Sequence, residues 1–138
     1  MKLNNLKESI KYLSKINKGN YYLDYMIEEG SVSKEWYEEI LKEVLKEKPK
    51  RVIDIGSNVN LFGYLFANEG IEYIGIDEDI TCKPIKLENI KFIHSNYYDI
   101  RERFKNDICI SCLCVGYLIP EKDVMCKKLI TNKQFILK

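Results

Sequence analysis

Short runs of apolar residues, rich in β-branched side chains and separated by polar stretches, dominate the hydrophobic pattern of the chain. Runs of this length and composition are typical of strands that are buried on both faces, as in a parallel sheet. The pattern predicts five strands, at residues 51–55, 71–76, 90–94, 107–115 and 134–137.

The first two predicted strands enclose a helix. Leu61, Leu65 and Phe66, with Phe62 beside them, recur at helical spacing, and Gly70 stands where a helix C-cap belongs. Strand, helix and strand form one βαβ unit, whose strands pair in parallel through a right-handed crossover. The carboxyl ends of both strands therefore lie at one edge, which is where such units bind their ligands.

Further helices are predicted on either side of this unit. Apolar residues step by three and four through residues 3–16, and again through a second helix that ends before Pro49. Near the end of the chain, residues 120–130 are predicted to form a helix that begins with a proline. The crossover after Asp77 contains Pro84 and shows little periodicity, so we expect a short or irregular helix there.

Length and composition indicate one domain. The chain has 138 residues, of which 46% are hydrophobic, which is enough for a proper core. We predict a single domain over residues 1–138, in which a helical N-terminal segment (1–48) packs on a core (51–138). Lys and Arg number 22 against 21 Asp and Glu, so the net charge of +1 does not indicate a nucleic acid or a membrane as partner. No secretory leader and no membrane-spanning apolar run is present, and we predict a cytoplasmic location.

Polar groups converge at the carboxyl edge of the βαβ unit. Asp54 lies at the end of the first strand and Asp77 at the tip of the second. Between them, a turn from Gly56 to Asn60 is predicted to expose backbone N–H groups at a helix N-terminus. A carboxylate at the position of Asp77 can accept both hydroxyls of a ribose. The edge therefore suits a ribose-bearing ligand.

Two segments at this edge resemble motifs of a known family. Residues 54–58 (DIGSN) and 73–77 (YIGID) are similar to the first and second motifs of class I S-adenosylmethionine-dependent methyltransferases. The first motif of that family reads acidic-x-Gly-x-Gly-x-Gly, and here Asn58 and Asn60 stand in place of its second and third glycines. Asn is the non-glycine residue that best tolerates a left-handed backbone, so Asn58 is a plausible replacement.

The resemblance implies a fold and a cofactor. The expected fold is a three-layer, Rossmann-like α/β domain with a mostly parallel sheet in the order 3-2-1-4-5. Because the chain ends at Lys138, it is expected to lack the antiparallel edge strands that the family usually adds. The expected cofactor is S-adenosylmethionine, and the expected activity is methyl transfer to an unknown acceptor.

The resemblance also implies which residues bind. Those expected to contact the cofactor from the two motifs are Asp54, Gly56, Ser57, Asn58, Asp77 and Glu78. After the third strand, Asn96 would accept a hydrogen bond from the adenine amino group and Tyr97 would stack on the ring; alternatively, this stretch is a turn that caps a short helix from Asp99. Near the end of the fourth strand, Cys112 is expected at the cofactor, and Tyr117, just after the strand, is expected at the substrate.

Two other ligand classes are less favoured by the residues. The nicotinamide fingerprint needs a glycine at the sixth place of the turn, and that place holds Leu61. The 5 cysteines are better interpreted as small buried hydrophobes than as metal ligands, because on one strand Cys109 and Cys112 face opposite sides and Cys112 and Cys114 point out in parallel. We therefore predict no metal site.

Two function classes remain open from the sequence. One is a methyltransferase, and the other is a non-catalytic module that binds a nucleotide-like ligand or a protein partner. The predicted strand at 134–137 would leave a bare sheet edge, and bare edges invite pairing. We therefore expect a homodimer or a partner chain to cover it.

Overall fold

The computed structural model of the protein describes residues 6–20, 34–85, 87–111, 114–115 and 118–131. Its centre is a sheet of five strands in the order β3-β2-β1-β4-β5, in which every neighbouring pair is parallel. The strands are β1 (Arg51–Ile55), β2 (Glu72–Asp77), β3 (Ile90–His94), β4 (Ile108–Ser111) and β5 (Lys128–Thr131). The predicted α/β fold and strand order are confirmed, and the architecture is consistent with a Rossmann-like fold.

Four α-helices accompany the strands in the described part of the chain. They are α1 (Leu6–Ile16), α2 (Lys34–Lys46), α3 (Gly63–Asn68) and α4 (Tyr97–Ile100). Two short 3-10 helices, Arg101–Phe104 and Glu121–Asp123, precede β4 and β5. Gly70 ends the turn after α3 with a φ of 69°, as its predicted role as a C-cap requires. None of these described helices has the length and apolar character needed to cross a lipid bilayer.

The core lies on both faces of the sheet. On one face, Val52 and Tyr73 pack with residues of α2 and α3, and Leu13 of α1 joins the same cluster. On the other face, Ile53 and Ile76 pack against α4 and the segment that follows it. The alternation along β1 thus sends side chains into two separate apolar layers, as expected for a strand that is buried on both sides.

The predicted helix over residues 120–130 is wrong. The structure places a 3-10 helix at Glu121–Asp123 and then β5, whose Ile130 pairs with Ile110 of β4. The few apolar residues of this stretch fit the helical period as well as the strand period. Pairing with the buried strand β4 therefore decides that the stretch forms a strand. The strand predicted at 134–137 falls outside the described residues, and β5 takes the fifth position in the sheet.

Other predicted boundaries shift by a few residues. β4 ends at Ser111, well before the predicted end at residue 115, because Ser111 Oγ accepts the backbone N–H groups of Cys114 and Val115 and turns the chain. The short helix expected from Asp99 begins two residues earlier, at Tyr97. Between β2 and β3 the described residues contain no helix, so the short or irregular helix expected in this crossover is absent from that part of the chain.

Candidate functional site

A cleft of about 460 Å³ opens at the carboxyl ends of β1, β2, β3 and β4. Its volume falls within the range of small-molecule sites, about 300–1,000 Å³. The polar residues that line it are Asn58, Asp77, Glu78, Asp79, Ser95 and Asn96. The apolar and aromatic residues that line it are Ile76, Tyr97, Tyr98, Cys114, Leu118 and Ile119. Gly56 also lines the cleft.

The charged side chains among the described residues that line the cleft are all acidic. Asp77, Glu78 and Asp79 contribute three carboxylates, and no lysine, arginine or histidine occurs among these described lining residues. Hydrogen bonds from the side chain and backbone of Thr81 lower the pKa of Asp79, which keeps this carboxylate ionised. The cleft therefore favours cationic or neutral ligands over phosphates.

Asp77 is held in a fixed orientation at the tip of β2. Its Oδ2 accepts the backbone N–H of Asn58 at 2.8 Å, and its Oδ1 accepts that of Asp79 at 2.9 Å. Each carboxylate oxygen has a second lone pair, so both can accept a further hydrogen bond. Asp77 is a pre-positioned acceptor pair on the wall of the cleft.

The turn after β1 has the backbone shape that glycines would allow. Gly56, Asn58 and Asn60 have φ angles of 70°, 50° and 60°, all in the left-handed region. Both asparagines therefore adopt a left-handed backbone, the conformation that the replacement of a motif glycine predicts for Asn58. In addition, Asn58 Oδ1 accepts a hydrogen bond from Asn20 Nδ2 at 3.1 Å, which ties the end of α1 to the turn.

The first N–H groups of this turn are already used within the protein. Those of Gly56 and Ser57 donate to the carbonyl of Ile76, and that of Asn58 donates to Asp77. Helix α3 begins only at Gly63, beyond the turn. This differs from the expectation that the turn offers free N–H groups at a helix N-terminus, and it removes the usual means by which such a turn binds phosphate.

Asn60 and Ser57 fill the space beside Gly75 of β2. A side chain at position 75 would collide with Ser57 Oγ and with Asn60 Oδ1, and would lie 2.8 Å from Asn60 Cγ. Asn60 Nδ2 donates to the carbonyls of Ile85 and Lys91, so the side chain joins the turn to the β2–β3 crossover and to β3. Ser57 is 7% exposed and does not line the cleft. The side chains of Ser57 and Asn60 thus pack on the backbone of Gly75 and support the turn from the side of β2.

Asp54 also lies behind the turn. It is 1% exposed, and its Oδ2 accepts a hydrogen bond from the hydroxyl of Tyr73. Burial raises the pKa of Asp54 to about 7, and the nearby charge of Asp77 acts in the same direction, while the Tyr73 hydrogen bond opposes them. Asp54, like Ser57, is a predicted cofactor contact of the first motif that does not line the cleft.

The residues after β3 have definite partners. Asn96 Oδ1 accepts the backbone N–H of Tyr98 and so caps α4, while its Nδ2 donates to Glu78 Oε2 at 3.1 Å. Tyr97 is buried, and its hydroxyl accepts the backbone N–H of Met125. Glu78, Asn96 and Tyr97, which the sequence predicts as cofactor contacts, all line the cleft.

Beyond β4, the structure contributes a residue that sequence reasoning missed. Cys114 lines the cleft and contacts Gly56, whereas Cys112 and Tyr117 lie outside the described residues. Burial raises the pKa of the Cys114 thiol to about 11, so the thiol stays protonated near neutral pH. Leu118, which is 81% exposed, also lines the cleft. Because ligands of such folds bind beyond the carboxyl ends of the strands, the sequence indicated that this region lies at the site, but not which of its residues line the cleft.

No metal-binding cluster is found in the described part of the chain. There, no group of three or more His, Cys, Asp or Glu side chains is placed to hold an ion.

Gly56→Ala is expected to destabilise the fold more than Gly70→Ala. Both glycines have nearly the same positive φ, so both variants should lose about 1–2 kcal/mol to backbone strain. A Cβ at position 56 would also lie 2.6 Å from Cys114 Sγ, whereas position 70 has nothing within 4 Å. Unfolding in denaturant measures the difference between the two variants, and equal losses would contradict the contact with Cys114.

Comparison of the sequence with models of known protein families and with curated proteins gives no match.

Proposed function

We propose that the cleft binds S-adenosylmethionine and that the protein transfers its methyl group to an acceptor. The observation that carries this proposal is the geometry of Asp77, a carboxylate fixed by two backbone N–H groups at the end of β2. Its remaining lone pairs suit the two hydroxyls of a ribose. The apolar side chains of Ile76 and Ile119, which line the cleft, offer a surface for a purine ring.

The charge of the cleft supports this ligand over other nucleotides. S-adenosylmethionine carries a sulfonium cation and no phosphate, whereas a dinucleotide or a nucleoside triphosphate carries several negative charges. The carboxylates of Asp77, Glu78 and Asp79 repel phosphates. The first N–H groups of the turn, which could otherwise bind a phosphate, already donate to the carbonyl of Ile76. A cationic or neutral adenosine derivative is the class that fits both observations.

The described lining residues suggest how methyl transfer would proceed. Cys114 remains a thiol because burial raises its pKa to about 11, so it is a poor base near neutral pH. In-line transfer from a sulfonium works largely by bringing the acceptor and the methyl group together in the correct orientation. An acceptor that is already nucleophilic would therefore need no base from the protein, and it would enter beside the exposed Leu118.

A second candidate is a cytoplasmic binding module without catalysis. It is favoured by the turn itself, whose first N–H groups donate to Ile76 and Asp77 and leave few donors for the methionine carboxylate of the ligand. Cofactor binding without turnover would support this candidate.

Titration calorimetry with three ligands tests the proposed ligand class. We expect S-adenosylmethionine and S-adenosylhomocysteine to bind and ATP not to bind. Because S-adenosylmethionine carries a sulfonium charge that S-adenosylhomocysteine lacks, and the three carboxylates attract it, raising the salt from about 0.05 M to about 0.5 M should weaken S-adenosylmethionine more than S-adenosylhomocysteine. Tighter binding of ATP than of either sulfur compound would overturn the proposal.

A further inference from the structure

A cluster of buried polar groups lies under the turn, outside the cleft. It consists of Asp54, Ser57 and Asn60, grouped on the sheet face that carries Tyr73 and Gly75. Asp54 pairs with Gly75 in the β1–β2 register, so its side chain points to the same face as the space that Ser57 and Asn60 fill. The cluster therefore joins the end of β1 to the turn that carries Asn58.

Three oxygens of this cluster have no hydrogen-bond partner among the described residues: Asp54 Oδ1, Ser57 Oγ and Asn60 Oδ1. All three are fully enclosed, and a buried polar atom without a partner costs about 1–3 kcal/mol. If Asp54 were ionised, two of these oxygens would be pure acceptors and only the Ser57 hydroxyl could donate. A protonated Asp54 adds a second donor to the cluster and removes a buried charge.

We propose that Asp54 is a positioning residue that supports the turn of residues 56–60 as a neutral carboxylic acid, rather than a charged contact to the ligand. Asp54 precedes Gly56 by two residues, and it pairs in the β1–β2 register with Gly75, whose adjacent space Ser57 and Asn60 of the turn fill. Ionisation of Asp54 would add a buried charge to a cluster in which only the Ser57 hydroxyl is a free donor. The turn, and with it the Asn58 N–H that holds Asp77, is therefore best ordered when Asp54 keeps its proton.

Among the described residues, the side chains that act on Asp54 include no cation that would favour its charged form. From β2, Tyr73 donates to Asp54 Oδ2, and Asp77 acts on it with a like charge. From the β4 side, the thiols of Cys109 and Cys114 interact with it, and burial raises the pKa of both. Tyr64 of α3 belongs to the same buried layer, and its pKa is raised to about 12, so it stays neutral. Burial then raises the pKa of Asp54 to about 7.

The first arm of the test is the pH dependence of unfolding, which requires no ligand. The unfolded chain releases this proton near the ordinary pKa of 3.8, whereas the folded protein keeps it to about pH 7. The wild type should therefore lose stability relative to Asp54→Asn as the pH rises from 3.8 to about 7. The unfolding constant should rise by up to about tenfold for each pH unit in this range, and the difference between the two proteins should stay constant at higher pH. Asp99→Asn, at an exposed carboxylate of α4, is the matched control and should show no such difference.

A second variant identifies the group that titrates. Because the Tyr73 hydrogen bond lowers the pKa of Asp54, Tyr73→Phe should move the end of the stability loss to a higher pH. A purely structural role of Tyr73 would lower stability at every pH without moving this point. A wild type and an Asp54→Asn variant that differ by a constant amount from pH 4 to pH 8 would overturn the proposal, since Asp54 would then be ionised throughout.

The second arm measures binding of S-adenosylhomocysteine and rests on the proposed function. Asp54→Asn keeps a neutral donor and should bind within about threefold of the wild type at pH 6, and its affinity should change less between pH 6 and pH 8. If Asp54→Asn is stably folded but has lost binding, Asp54 is a charged ligand contact and the proposal is wrong. If the wild type itself does not bind, the proposed function fails, and the unfolding profiles still decide the state of Asp54.

Discussion

Gly75→Ala should destabilise the protein by about 3 kcal/mol, the upper end of the usual cost of overpacking a core. The added methyl group would collide with Ser57 Oγ and Asn60 Oδ1 and approach Asn60 Cγ to 2.8 Å. Asn60 cannot move aside without losing its hydrogen bonds to the carbonyls of Ile85 and Lys91. Gly75 has no positive φ, so steric conflict alone accounts for the loss, which chemical denaturation measures.

A double variant tests whether the side chain at position 60 is the cause. Asn60→Gly tolerates the positive φ of that position and removes the main obstacle, so Gly75→Ala should cost less in this background. Residues in direct contact commonly show coupling energies of about 0.5–3 kcal/mol, and we expect a value within this range here. Additive losses would show that Asn60 does not fill the space beside Gly75.

Asp77→Asn should weaken binding of S-adenosylmethionine by about tenfold to a hundredfold, which corresponds to the loss of hydrogen bonds to a charged acceptor, about 1.5–3 kcal/mol. Replacement of one carboxylate oxygen by an amide group also sets a donor against the N–H of Asn58 or Asp79. Calorimetry on the folded variant measures the loss. Asp99→Asn removes a carboxylate that does not line the cleft and should leave the affinity unchanged.

The sheet was predictable because its strands are nearly continuous apolar runs. The bounds of β1 and β3 match the prediction, and the strand order follows from the handedness of βαβ units together with the family resemblance. The left-handed backbone of Asn58 was also predictable, since few residues besides glycine adopt it readily.

The parts that could not be predicted depend on contacts between distant segments. β5 forms where residues 128–131 find β4, and no local period distinguishes this strand from a helix. Asn60 fits its site because residue 75, on another strand, has no side chain. Cys114 reaches the cleft because Ser111 turns the chain just after β4.

The burial of Asp54 was implicit in the sequence. A strand predicted to be buried on both faces over residues 51–55 includes Asp54 itself, on the same face as Val52. The motif resemblance nevertheless placed Asp54 at the ligand, because a motif records which residue stands at a position but not the direction of its side chain. The structure supplies that direction: away from the cleft and toward Tyr73.

The location of the ligand is tested most directly by nitrogen–proton correlation NMR of the wild type during titration with S-adenosylmethionine. The backbone amides of Asn58 and Asp79 both donate to Asp77, so a ribose that binds this carboxylate must change their resonances. We predict saturable shifts at both amides and none at Glu88, an exposed residue that does not line the cleft. Unchanged resonances of Asn58 and Asp79 at millimolar ligand would contradict the proposed site.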